Sequence, residues 1–145
     1  MDYYASFKIC ASGLEVQRAR MDVVTANLAN VSTTRVPEGG PYKRKVISIV
    51  SEPLKMRSRT SFDKKLREAM NKVKVDGISE SEEGINRVYD PGHPDADKAG
   101  FVALPNVNVM TEMADMIMAN RAYEAVVTAF DSVKNMAVKT LDIGR

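Results

Sequence analysis

All six prolines of this chain (Pro37, Pro41, Pro53, Pro91, Pro94, Pro105) fall between residues 37 and 105 of 145. Proline lacks a backbone donor and clashes with the preceding turn, so it breaks helix interiors. The proline-free flanks, 1–36 and 106–145, can therefore be long helices, and the middle cannot. That single asymmetry predicts an α+β chain: long terminal helices around a small, mainly β middle domain.

The N-terminal flank repeats every seven residues. Phe7, Leu14, Met21 and Leu28 form one row, and Cys10, Gln17, Val24 and Val31 form the other. Only Gln17 is polar. Such narrow spacing is a coiled-coil seam rather than the broad stripe of a globular surface helix. Gly13 costs a helix about 1 kcal/mol relative to alanine. Ser12 to Glu15 also fits a capping box, which predicts a firm helix start at Ser12 with a looser turn before it.

The C-terminal flank behaves alike. Val109, Met113, Met116, Tyr123, Val127, Phe130, Ala137 and Leu141 occupy seam positions, interrupted by Asn120 and Lys134. Thr111 is placed to cap the start. Glu112 and Asp115 in the first turn suit the helix dipole, as does Lys139 near the far end. Gly144 reads as the stop.

Two seamed helices at opposite ends of one chain invite pairing as a coiled coil. Their outer faces still carry Val23, Val126 and Val138. One outcome is an antiparallel helical hairpin capping a small β domain. The other is a module that completes its core only against copies of itself or relatives. With no tryptophan and nine aromatics, the core is expected to be small.

In the middle, "YKRKVISIV" (42–50) and "NKVKVDGI" (71–78) alternate and are rich in β-branched residues, with Asp76-Gly77 as a turn signal. "GINRVYD" (84–90) and "GFVAL" (100–104) read as further strands, and "PGHPDAD" (91–97) as a loop. Residues 55–72 are polar and read as a mobile basic loop, or a short helix near 62–70. The expected division is 1–36, 37–105 and 106–145.

Chemistry-bearing motifs are few. The lone histidine, His93, lies among Asp90, Asp95 and Asp97, but the spacing matches neither a zinc site nor a calcium loop. A solvated turn is expected, with no metal and no cofactor. No nucleophile elbow or glycine-rich phosphate loop is present, so no enzymatic activity is expected. Cys10, the one cysteine, sits on the seam and reads as a small buried hydrophobe. The net charge is +2, from 21 basic and 19 acidic residues. Locally, residues 43–74 hold eleven basic and three acidic side chains, and residues 76–97 hold seven acidic and one basic. The runs are solvated, face each other, or meet between subunits; the adjoining acids argue against nucleic acid. The N-terminus has neither a basic n-region nor an apolar h-region, so no cleavable signal is expected. No apolar run is long enough to predict direct membrane insertion.

With these features in place, the ends resemble a known family. "ASGLEVQRARMDVVTANLANVSTTR" resembles the N-terminal signature of bacterial flagellar axial proteins, the rod–hook family. "PNVNVMTEMADMIMANRAYEAVVTAFDSVKNMAVKTLDIGR" resembles their C-terminal signature. "EGGPYKRK" and "YDPGHPDADKAGFVALPNVN" narrow the likeness to proximal-rod members. Val126 stands where such proteins usually carry asparagine, and residues 55–71 have no recognisable counterpart.

The resemblance implies a structural subunit of the rod, the drive shaft that transmits motor torque for motility. It implies self-assembly in the periplasm, after type III export without a cleaved signal. The implied partners are other rod subunits, the rod-base adaptor protein and the flagellar export apparatus. The expected assembly interface is the pair of helix seams: Phe7, Leu14, Met21, Val24, Leu28 and Val31 on one side, Met113, Met116, Tyr123, Val127, Phe130 and Leu141 on the other. The polar stretch after the first helix, with Asn27, Asn30, Thr33 and Thr34, is expected to cap the helix and aim the exiting chain at the next subunit. The alternative reading is a soluble coiled-coil interaction module outside any rod.

Overall fold

The computed structural model describes residues 3–37, 39–54, 70–81 and 84–143. The fold is α+β. Helix α1 spans Tyr3–Ala29 and helix α2 spans Val109–Ile143. Between them lie β1 (Lys45–Pro53), β2 (Asn71–Glu80), β3 (Asn86–Tyr89) and β4 (Phe101–Leu104).

The helices pack antiparallel. The Tyr3 hydroxyl lies 2.7 Å from Thr140 Oγ1, and the Phe7 and Phe130 rings are 5.0 Å apart between centroids. Gly13 backs onto Val126, and Arg20 meets Asp115 at 3.0 Å. Helix α1 does not begin at Ser12. The Ser12 hydroxyl instead donates to the Ile9 carbonyl at 2.8 Å, so it back-bonds inside a continuous helix. Gly13 serves a packing purpose: a Cβ there would sit 3.4 Å from Val126 Cγ1. The start of α2 is capped by Asn108, not Thr111. Its Oδ1 accepts from the Met110 and Thr111 amides at 3.0 and 3.3 Å, which satisfies two of the orphan donors of the first turn. Gly144 lies outside the described residues.

The buried face of the pair differs from the expected seams. On α1 the buried residues are Ala5, Val16, Val23, Val24 and Asn27, and on α2 they are Glu112 and Ala119. Val23 and Val126 therefore turn inward, while Val138 stays out. On α2 the expected row Val109, Met116, Tyr123, Phe130, Ala137 is half-buried apart from Val109, which is exposed. The other expected row is off by one position: Met113, Asn120, Val127, Lys134 and Leu141 are exposed. The row that turns inward starts at Glu112 and runs through Ala119, Val126 and Val133. A charged leader disguised it, because an apolar-count reading passes over glutamate.

The first hairpin pairs β1 with β2, from Lys45 opposite Glu80 to Pro53 opposite Asn71. A register shift falls at Ser48/Ile49, where Ser48 faces Gly77 and Ile49 faces Val75. Asp76 is thus the extra residue of a bulge, and Asp76-Gly77 is not a turn. Residues 55–69, read as a loop or short helix, lie outside the described residues, whereas Asn71 and Lys72 belong to β2. The hairpin lies along α1, with Leu54 buried at its end. A two-stranded ribbon is marginal alone, and α1 supplies the support. The second hairpin pairs β3 with β4, from Asn86 opposite Leu104 to Tyr89 opposite Phe101. Its turn needs Gly100 at φ +80°, where a Cβ would also meet the Tyr89 ring at 2.9 Å.

Among the described residues the buried aliphatic side chains larger than alanine are valines and Leu54. No described helix is long and apolar enough to cross a membrane.

Candidate assembly interface

The end of α1, the start of β1 and the first turn of α2 meet in one polar cluster. Asn27 and Glu112 are each 1% exposed. The Asn27 amide nitrogen donates to the Lys45 carbonyl at 2.9 Å and to Glu112 Oε2 at 3.2 Å. Its oxygen accepts from the Lys45 amide at 2.8 Å and the Tyr42 hydroxyl at 3.0 Å. Asn27 thus pairs with Lys45 as a neighbouring strand would, through both backbone groups. Arg44 Nε reaches Glu112 Oε1 at 2.7 Å. A buried carboxylate needs such partners, since desolvation otherwise makes it prohibitive. Burial first, then the negative charges of Glu112 and Glu80, push the Tyr42 hydroxyl above its ordinary pKa. A surface pair, Arg20–Asp115, flanks the cluster on the same helix faces.

The polar exit is built inside the chain. Asn30 Nδ2 donates to the Ala26 carbonyl at 2.8 Å, and its oxygen accepts from the Thr33 hydroxyl at 3.1 Å. The Thr34 hydroxyl donates to Asp95 at 2.7 Å, tying the exit to the 91–97 loop. Asn27, expected to help aim the exiting chain at the next subunit, is itself buried within the chain. Two donors and two acceptor positions of its amide are already engaged within the chain.

The seam residues divide into two groups. Phe7, Leu14, Met21, Leu28, Val31, Met116, Tyr123 and Phe130 are half-buried, and Val24 is buried. Met113, Val127 and Leu141 are exposed, Leu141 at 75%. Beside Met113 the outer face of α2 adds Val109, Met110 at 76%, Ile117 and Met118. Cys10 is a free, half-buried thiol.

The His93 loop is occupied with its own backbone. Asp90 accepts from the Gly92 amide, His93 Nδ1 from the Asp95 amide, and Asp97 from the Ala99 and Phe101 amides. Those backbone bonds hold the Asp97 carboxyl below its ordinary value. The two charge runs touch where Lys43 pairs with Glu80 at 3.0 Å, and Lys72 pairs with Glu52 inside the hairpin at 3.2 Å.

Of the central cluster, only Asn27 is legible from the sequence. Glu112 fits a dipole role, Arg44 blends into a basic run and Tyr42 into a strand pattern. The available signal was an asparagine at the last turn of a patterned helix, followed by Tyr-Lys-Arg-Lys just before a strand.

Paired terminal helices, strands hung between them and apolar side chains turned to solvent define a protein whose working parts are surfaces. Residues 7–35 match the family described as flagella basal body rod protein, and residues 98–143 match the flagellar basal body rod FlgEFG protein C-terminal family. The chain is 42% identical to the flagellar basal-body rod protein FlgC of Bacillus subtilis over 100% of both chains. It is 40% identical to that of Borreliella burgdorferi, over 99% of this chain and 98% of the relative. It is 35% identical to that of Salmonella typhimurium, over 96% of each. The chain belongs to the flagellar basal-body rod protein family, in its FlgC branch.

Proposed function

We infer that this chain is a structural subunit of the proximal rod, working through surfaces rather than through a reaction. The terminal helices, within residues 1–36 and 106–145, form the axial core, and residues 37–105 form the outer, strand-rich part. Polymerisation uses the seam residues left open in the single chain, above all Met113, Val127 and Leu141, together with the half-buried row on α1. The full-length likeness to FlgC proteins carries this reading. The exposed apolar face of α2 supports it, because apolar area of that kind gains about 25 cal/mol per Å² when a neighbour covers it.

Location, export route and neighbours follow from membership of the family. The chain works in the periplasmic part of the basal body and reaches it through the flagellar type III apparatus without a cleaved signal. Its neighbours are other rod subunits, copies of itself and the adaptor protein at the rod base. The rod passes motor torque to the hook.

Mass spectrometry of purified hook–basal bodies from the source organism tests the assignment. The expected result is this chain at a few copies per particle. Its absence, with other rod subunits detected, would move the reading to a free coiled-coil interaction module.

A further inference from the structure

The helix pair is held by a pattern that fits more than one alignment. On α2 the inward rows repeat every seven residues: Glu112, Ala119, Val126, Val133 and Met116, Tyr123, Phe130, Ala137. On α1 the buried Val16 and Val23 are also seven apart. Sliding α2 by one heptad keeps apolar against apolar except at its far end, where Thr140 takes the place of Val133. The strands resist it only through the second hairpin, whose Thr34–Asp95 bond and buried Val102 a slide would disturb. Helix α2 makes its main contacts with α1 alone, and the second hairpin makes its main contacts within itself. Sliding one way would set Pro105 opposite Asn27, outside the helix. Sliding the other way sets Ala119 there, leaving the Asn27 amide and Arg44 without the Glu112 carboxylate.

We propose that the Asn27–Arg44–Glu112 cluster is a register key, which selects one alignment of the terminal helices from two that the apolar seam accepts. Buried polar groups are a poor means of adding stability, because desolvation offsets their attraction. They are a good means of rejecting a misaligned pair, as a single polar residue in a coiled-coil seam does. Here the key joins three elements, since Asn27 also holds the Lys45 backbone at 2.8 and 2.9 Å. Setting the helix register therefore also sets where the first hairpin leaves α1. Arg20–Asp115 is a weaker second tooth; both partners are partly solvated, and pairs of that kind contribute little.

Pulsed electron–electron distance measurements on the full chain test this. Spin labels go on Tyr4→Cys and Arg121→Cys, both exposed, in a Cys10→Ser background. Dilution with unlabelled protein leaves only distances within one chain. Exchanging the key by Glu112→Ala with Ala119→Glu should lengthen the single distance by about 10 Å, seven residues at 1.5 Å each. Replacing its charged pair by Arg44→Met with Glu112→Leu, which keeps Asn27 bonded to Lys45 and Tyr42, should leave a helical, cooperatively melting chain with both distances populated. An unchanged single distance in either variant overturns the proposal and assigns register to contacts such as Gly13–Val126. Loss of helicity in both also overturns it, because a key is removable at nearly constant stability whereas a principal stabilising bond is not.

Discussion

Asn27 concentrates in one side chain the work of ending a helix and starting a strand. Its amide serves Lys45, Tyr42 and Glu112 at once. Alanine there strands a buried carboxylate oxygen and a buried hydroxyl, each worth roughly 1–3 kcal/mol. Asn27→Ala should therefore lower unfolding stability by about 3 kcal/mol, measured by urea titration. Asn30→Ala, which loses only local exit bonds, should cost about 1 kcal/mol. Equal losses would contradict the division of labour between them. Tyr42 adds a pH signature. Its pKa is raised in the folded chain, so its protonated form is favoured by folding. That contribution is fully present below its unfolded value near 10 and is lost as pH rises through the raised folded value. Wild-type stability should fall faster than that of Tyr42→Phe above about pH 10, and parallel curves would remove the tyrosine from the account.

At the scale of elements, the sequence announces the helices and strands plainly and their faces poorly. Proline placement alone marks out α1 and α2, and β-branched alternation finds all four strands within a few residues of their ends. The face of α2 was ambiguous because Met110, Met113, Ile117 and Met118 make it apolar on the outside too. Apolar count cannot tell a side packed within the chain from a side kept for a neighbour. The hidden row began with Glu112, whose burial depends on Arg44 and Asn27, 68 and 85 residues away in sequence. No local pattern carries that pairing. The cap is hard to read for a related reason: Asn108 precedes the apolar pattern, and Thr111 lies within it. Asn108→Ala should cost about 1 kcal/mol in thermal or urea unfolding, while Thr111→Ala should fall within about 0.5 kcal/mol of wild type. The reverse order would restore Thr111 as the cap.

At the scale of the whole molecule, the described residues leave much apolar surface in water, and it is concentrated rather than scattered. Exposed apolar side chains gather on α2 and along the two hairpins, including Val46, Ile78, Val88 and Tyr89. Charge substitutions at positions that matter between chains, but not within one, should separate assembly from folding. Met113→Asp and Leu141→Asp should leave the melting temperature of the isolated chain nearly unchanged. The same variants should cut incorporation into basal bodies at least tenfold, read by quantitative mass spectrometry. Normal incorporation would take these positions out of the interface. Substituting buried Ala119 by aspartate is the contrasting control, since it should unfold the chain before assembly is reached.

Tyr3 and Thr140 bring both chain ends to the same end of the helix pair, while the cluster ties the pair together at the opposite end. That layout makes the molecule mechanically anisotropic. Tension applied between the two ends peels α1 from α2 one turn at a time, beginning at Tyr3 and reaching Glu112 last, so each step opposes only one turn of packing. Load along the helix axis is borne in shear by the whole seam together. The same fold is therefore weak when drawn out by its ends and stiff when pushed along its length.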